Sequence, residues 1–140
     1  MTNESIEFHT VNEFNLPEPN NVRAWLSKVV DEEQKKINHL AYIFCDDKYL
    51  HKLNVQFLNH DTYTDVITFD QSLGNQLSGE IYISVERVKE NASSFGVSFE
   101  EELHRVMVHG LLHLCGYKDK TEEETLEMRR KENYYLSLQP

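Results

Sequence analysis

The sequence predicts one α+β domain, a short mixed sheet flanked by helices. Three observations predict it. Runs dense in β-favouring residues, at 40–45, 65–69 and 79–84, alternate with segments whose apolar residues recur at helical spacing. Two segments open on a hydroxyl residue followed three positions later by glutamate, Ser98 with Glu101 and Thr121 with Glu124, the pattern of a capping box. And 140 residues at 39% hydrophobic and 27% charged content suit a single globular core, neither disordered nor divided by a linker or repeat.

In chain order, Ile6 and Phe8 alternate with polar neighbours and predict a short strand. Residues 15–21 carry Pro17 and Pro19 and read as a loop. A helix is expected over 22–36, where Val22, Trp25, Leu26, Val29 and Val30 share one face. After the strand at 40–45, Asp46 or Asp47 can cap a helix running to about Phe57, with Tyr49, Leu50, Leu53 and Phe57 turned inward. Residues 59–64 form a polar loop before the strand at 65–69. Gly74 and Asn75 mark a turn within 71–78. The strand at 79–84, with Ile81 and Ile83 on one face, is then the antiparallel neighbour of 65–69. Ser84 can cap a helix over 85–95 that Gly96 closes. Ser98 opens the next helix, whose core face is Phe99, Leu103, Val106, Met107, Gly110 and Leu114. Thr121 opens a terminal helix through Leu126, Met128 and Tyr134.

Composition excludes several classes. A net charge of −10 and a pI near 5.1 argue against a protein that coats nucleic acid through a broad basic field. A nucleic-acid enzyme remains open, because a bound dication and a few local cations can hold a phosphate. No apolar run approaches the roughly 18–20 residues that span a bilayer. Residues 1–14 are polar and acidic rather than a secretory signal, which predicts a cytoplasmic protein with no membrane partner. Cys45 and Cys115 read as free buried thiols.

Chemistry concentrates in 109–119, His-Gly-Leu-Leu-His-Leu-Cys-Gly-Tyr-Lys-Asp. Residues four apart on a helix lie on one face, so His109 and His113 can reach one metal ion. Gly116 offers a left-handed exit, after which Asp119 can supply an oxygen as third ligand. Three protein ligands leave a fourth tetrahedral position for water, the arrangement of a catalytic zinc site. Arg105 continues the His109–His113 line one turn earlier. Metallopeptidases of the HExxH type place a glutamate directly after the first histidine, and here that position is Gly110. Its absence argues against peptide hydrolysis.

The 109–119 stretch resembles the signature of the YbeY family of bacterial rRNA maturation factors, which are metal-dependent endoribonucleases. Two further blocks agree in order and spacing: Leu53-Asn54 followed by Thr64-Asp65-Val66-Ile67-Thr68-Phe69, and Gly79-Glu80-Ile81 ending in Ser84. The resemblance covers most of 53–134. It implies a zincin-like fold with the metal helix at a cleft, and His109, His113 and Asp119 as ligands of one zinc ion. It also implies hydrolysis of single-stranded RNA in small-subunit rRNA maturation and ribosome quality control, with the small ribosomal subunit or its assembly factors as partners. The family's usual third ligand is a histidine, so Asp119 is a departure that keeps the ligand count and admits harder ions such as Mn²⁺. A second departure is Leu58, where the family commonly carries an arginine facing the substrate cleft. Lys118 and Lys120 are the candidates to replace that cation, with His60 and Arg105 behind them. Thr64, Asp65, Glu80 and Ser84 match family positions and read as structural. The competing readings are a zincin-type metallopeptidase and a metal-stapled module that docks on the ribosome without catalysis.

Overall fold

The computed structural model describes residues 5–60 and 62–140. The elements are β1 (Ile6–Thr10), α1 (Pro19–Glu32), β2 (Lys36–Cys45), α2 (Asp47–Leu58), β3 (Val66–Asp70), β4 (Gln76–Ser84), α3 (Val85–Phe95), α4 (Phe99–Leu114) and α5 (Glu122–Leu136). The four strands form one sheet in the order β1-β2-β4-β3. β1 and β4 both run parallel to β2, and β3 closes the edge antiparallel to β4, as expected for 65–69 and 79–84.

Alternation along the strands sorts the side chains into two layers. Leu40, Tyr42 and Phe44 of β2 and Leu77, Ile81 and Ile83 of β4 join α1, α4 and α5 in the main core. The opposite face carries a smaller cluster of Cys45, Leu50 and Ile67 under α2. The sheet is tied to α4 by a buried hydrogen bond in which Tyr42 Oη donates to the Met107 carbonyl at 2.9 Å. Gly110 lets α4 lie close on the sheet, since a Cβ there would stand 2.8 Å from Ile81 Cγ2. The predicted core face of α4 is observed, with Leu103, Val106, Met107, Gly110 and Leu114 buried. Both cysteines are free, and burial pushes both thiols up to about 12.

Three local expectations are corrected. Helix α1 ends at Glu32 and not near 36, because β2 starts at Lys36 and the connection turns through Gln34 at φ 60°. In α2, Tyr49 and Phe57 are exposed, Phe57 by 60%, and the buried positions are Leu50 and Asn54. Only a narrow stripe of α2 meets the small cluster beneath it, and Asn54 turns inward to donate to the Thr62 carbonyl at 2.8 Å. In α5, Leu126 is 64% exposed and Tyr134 also faces out; Met128, Glu132, Tyr135 and Leu136 form the buried stripe. The capping box at Thr121 is complete, whereas at Ser98 only the hydroxyl-to-Glu101 half forms.

Candidate metal centre

Helix α4 sets His109 and His113 one turn apart with their rings nearly perpendicular, at 84°. Their Nε2 atoms face each other at 3.1 Å. Gly116, at φ 108°, reverses the chain after the helix, and Asp119 comes back over the same spot. Its Oδ2 lies 3.2 Å from His113 Nε2 and 3.4 Å from His109 Nε2. Among the described residues this is the only group of three or more histidine, cysteine, aspartate or glutamate side chains placed to hold one ion. The predicted ligand set is therefore brought together.

The donor chemistry fits a metal. The Nδ1 of His113 lies 3.0 Å from the Tyr117 carbonyl, which only accepts, so that nitrogen carries the proton and Nε2 keeps a free lone pair. The Nδ1 of His109 donates to Glu132 Oε2 at 2.6 Å, leaving its Nε2 equally free when the ring is neutral. Two lone pairs and a carboxylate oxygen thus converge where each would repel the others without a cation between them. A tetrahedral ion with bonds of about 2.0–2.1 Å would space its ligand atoms by about 3.3 Å, which matches the separations seen.

Both histidines are held from behind. Glu132, on α5 and only 4% exposed, bridges His109 and Arg105, whose Nη1 donates to Oε1 at 2.9 Å. Burial alone would lower the His109 pKa, but the hydrogen bond and charge of Glu132, with Asp119 and Asp65, outweigh it and the pKa rises. Burial would raise the pKa of Glu132, and its bond to His109 and the nearby arginines bring it below the ordinary value. Sequence reasoning missed Glu132 because it lies in a charged run. Its spacing from Met128 and Tyr135 was the available signal, since it puts all three on one face. Arg105, expected as a candidate phosphate clamp, is instead committed to Glu132 and to Asn133 Oδ1 at 2.9 Å.

Tyr117, whose carbonyl orients His113, is anchored by Glu33 just past α1. Glu33 accepts from Tyr117 Oη at 2.8 Å, from Tyr135 Oη and from Lys131 Nζ at 3.3 Å. Burial acts to raise the Glu33 pKa, but these three donors overcome it and the net shift is downward. A carboxylate with a depressed folded pKa stabilises the fold above its unfolded value, near 4.5, and loses that contribution as pH falls through the folded value. Urea melts between pH 6 and pH 3 are therefore expected to show stability falling below about 4.5 in the native chain and falling less steeply in Glu33→Gln. Identical acid slopes would mean that other carboxylates carry the effect.

In front of the ligands lies an open cleft of about 850 Å³, lined by His109, His113 and Asp119 together with Leu58, His60, Asp65, Lys118 and Lys120. Lys118 and Lys120 are exposed on either side of Asp119. Leu58 lines the same cleft among polar Asn54, His60, Thr62 and Thr64. Thr64, Asp65, Glu80 and Ser84 each make local contacts. The Asp65 carbonyl accepts from Ser84 N, Ser84 caps α3 and donates to Asp47 Oδ1, and Glu80 accepts from Tyr82 Oη. Thr64 donates to the Val66 carbonyl.

A mixed sheet beneath a helix bearing two histidines one turn apart, with a carboxylate returning on the next turn, defines a zincin-like α+β protein with one candidate metal centre. The chain belongs to the YbeY family: a family profile described as Endoribonuclease YbeY matches residues 6–138. It is 53% identical over 138 residues to the Endoribonuclease YbeY of Christiangramia forsetii, covering 99% of this chain and 96% of the relative. It is 52% identical over 133 residues to that of Flavobacterium johnsoniae, covering 95% and 96%. Among solved structures, the solution structure of TM1509 from Thermotoga maritima matches with a TM-score of 0.71 and 32% identity, over 94% of this chain and 87% of that one. Among the described residues no helix is long and apolar enough to cross a membrane.

Proposed function

We propose that this protein is a zinc-dependent endoribonuclease that hydrolyses single-stranded RNA in the cytoplasm, acting on the small ribosomal subunit during rRNA maturation and quality control. The observation that carries the reading is the convergence of three acceptor atoms, from His109, His113 and Asp119, at the floor of an open cleft flanked by two lysines. Bound there, zinc would supply Lewis acidity and a water whose pKa is lowered to about 7. The chain's own residues do the rest. Glu132 and the Tyr117 carbonyl hold the two imidazoles in the ligating tautomer. Lys118 and Lys120 offer cations to the phosphates on either side of the scissile bond, in place of the family arginine at Leu58. The open cleft admits a strand whose bases are not paired. The family relationship supports the substrate, since the relatives are named endoribonucleases.

Peptide hydrolysis is disfavoured by position 110. The HExxH general base would stand there, and Gly110 has no side chain to offer; even a Cβ would stand 2.8 Å from Ile81 Cγ2. Zinc-loaded protein and its His113→Ala variant, incubated with short single-stranded RNA and separately with casein, test the proposal. The expected result is cleavage of RNA but not casein, reduced at least about 100-fold by the substitution, as befits loss of a ligand rather than of an outer contact worth about 10–100-fold. Equal RNA cleavage by both proteins would assign the activity to a contaminant.

A further inference from the structure

Beside the metal centre a second, smaller cleft of about 290 Å³ opens between the start of β3, α3, α4 and α5, and shares His109 and Asp119 with the first. Its inner wall holds an unusual group. Glu102 is 4% exposed, yet its carboxylate forms no hydrogen bond and no ion pair among the described residues. Burial, and then the charge of Asp65, push its pKa up, as expected of a carboxylate without a donor. Its oxygens reach the cleft, where a donor that arrives with a ligand can pair with them.

The occupant is not a second metal ion. Arg105 and Arg129 line the same cleft, and Glu102 belongs to no group of three ligating side chains. The remaining lining is mixed: Val66, Val106 and the exposed ring of Phe95 supply apolar surface beside polar Asp65, Asn91 and Thr125. Glu102 sits seven residues, two helical turns or about 10 Å, before His109. That is the kind of span that separates the phosphate of a nucleotide from the far edge of its base.

We propose that this cleft is a base-specificity pocket in which Glu102 reads guanine, the base following or preceding the phosphate held at the metal centre. A carboxylate presents two acceptors side by side. Guanine alone among the four RNA bases offers two adjacent donors, N1–H and the N2 amino group, on one edge. Adenine and cytosine place a ring acceptor beside their amino donor, and uracil flanks its single N–H with carbonyls. Phe95 at the mouth supplies a ring on which the base can stack. The inference rests on the ribonuclease reading for its biological sense, but its test reads binding and not cleavage.

Zinc-loaded protein is titrated by calorimetry with GMP, AMP, CMP and UMP. A bidentate pair to a base edge discriminates by roughly 10-fold or more, so GMP is expected to bind at least about 10-fold tighter than the other three. Glu102→Gln, which puts a donor against guanine N1–H, is expected to lose that preference and to melt at a higher temperature than the native chain, because burial and the charge of Asp65 disfavour the ionised carboxylate. Four equal affinities, no measurable GMP binding, or a preference that survives Glu102→Gln would overturn the proposal. So would a lower melting temperature for Glu102→Gln, which would make the carboxylate a structural group. Failure of the RNA cleavage experiment with retained GMP selectivity would instead remove the activity and leave the pocket.

Discussion

Glu132→Ala is expected to unfold the chain at markedly lower urea and to weaken zinc binding by about 10–100-fold. The side chain is buried and serves two partners at once. Its Oε2 receives His109 Nδ1–H, and its Oε1 receives Arg105 Nη1–H. Truncation leaves the Arg105 guanidinium, itself largely buried, without its main counter-charge. Breaking a buried pair from one side costs about 3–5 kcal/mol, a large share of the 5–15 kcal/mol that holds a typical domain. It also frees the His109 ring to rotate and to change tautomer, which is the route to the loss of metal. Glu132→Gln separates the two effects. The amide keeps the volume and one acceptor for Arg105, so most of the stability should return, while the His109 orientation remains impaired. Urea melts and a zinc competition assay on the native chain and both variants measure this. If Glu132→Ala binds zinc as tightly as the native chain, the carboxylate does not position the ligand.

Gly79→Ala is expected to cost about 3 kcal/mol, a fall in Tm of roughly 10 °C for a chain of this size. Gly79 pairs with Asp70 across the β4–β3 ladder, where a Cβ would stand 2.5 Å from the Phe69 backbone oxygen and 3.1 Å from Leu114 Cδ2. The first of these is backbone and cannot rotate aside. Strand β3 would have to move outward, and with it Asp65 and the wall shared by both clefts. Gly110→Ala makes the comparison sharp. There the obstacle is Ile81 Cγ2 at 2.8 Å, a branch methyl that must repack rather than backbone that cannot, and alanine regains about 1 kcal/mol of helix propensity. Its net cost should be about half as large. A thermal melt of Gly79→Ala within about 2 °C of the native chain would contradict the tight approach of β3 to β4.

Much of the site was legible because its geometry is local. His109 and His113 owe their shared face to helical periodicity, and Asp119 owes its return to the left-handed turn at Gly116, all within eleven residues. The capping residues Asp46, Ser84, Ser98 and Thr121 were readable for the same reason, since each cap bonds a backbone amide three positions on. The inward faces of α2 and α5 were not readable. Both helices carry apolar residues on more than one side, and which side is buried depends on how wide a surface the sheet offers them. On α2 that surface is a small cluster, so Phe57 is left outside against the edge of Phe69.

The amino-acid sequence by itself determined the order of strands and helices, the positions of the caps and the three residues able to hold a metal. These follow from interactions between residues a few positions apart, where chain connectivity supplies the proximity. Only the tertiary structure decided that Glu132 would stand behind His109, that Glu33 would anchor Tyr117 from across the fold, and that Glu102 would line the second cleft. Each of those outcomes depends on which helix packs against which, and a charged side chain carries no mark of its future neighbour until the hydrophobic core has brought the two elements together.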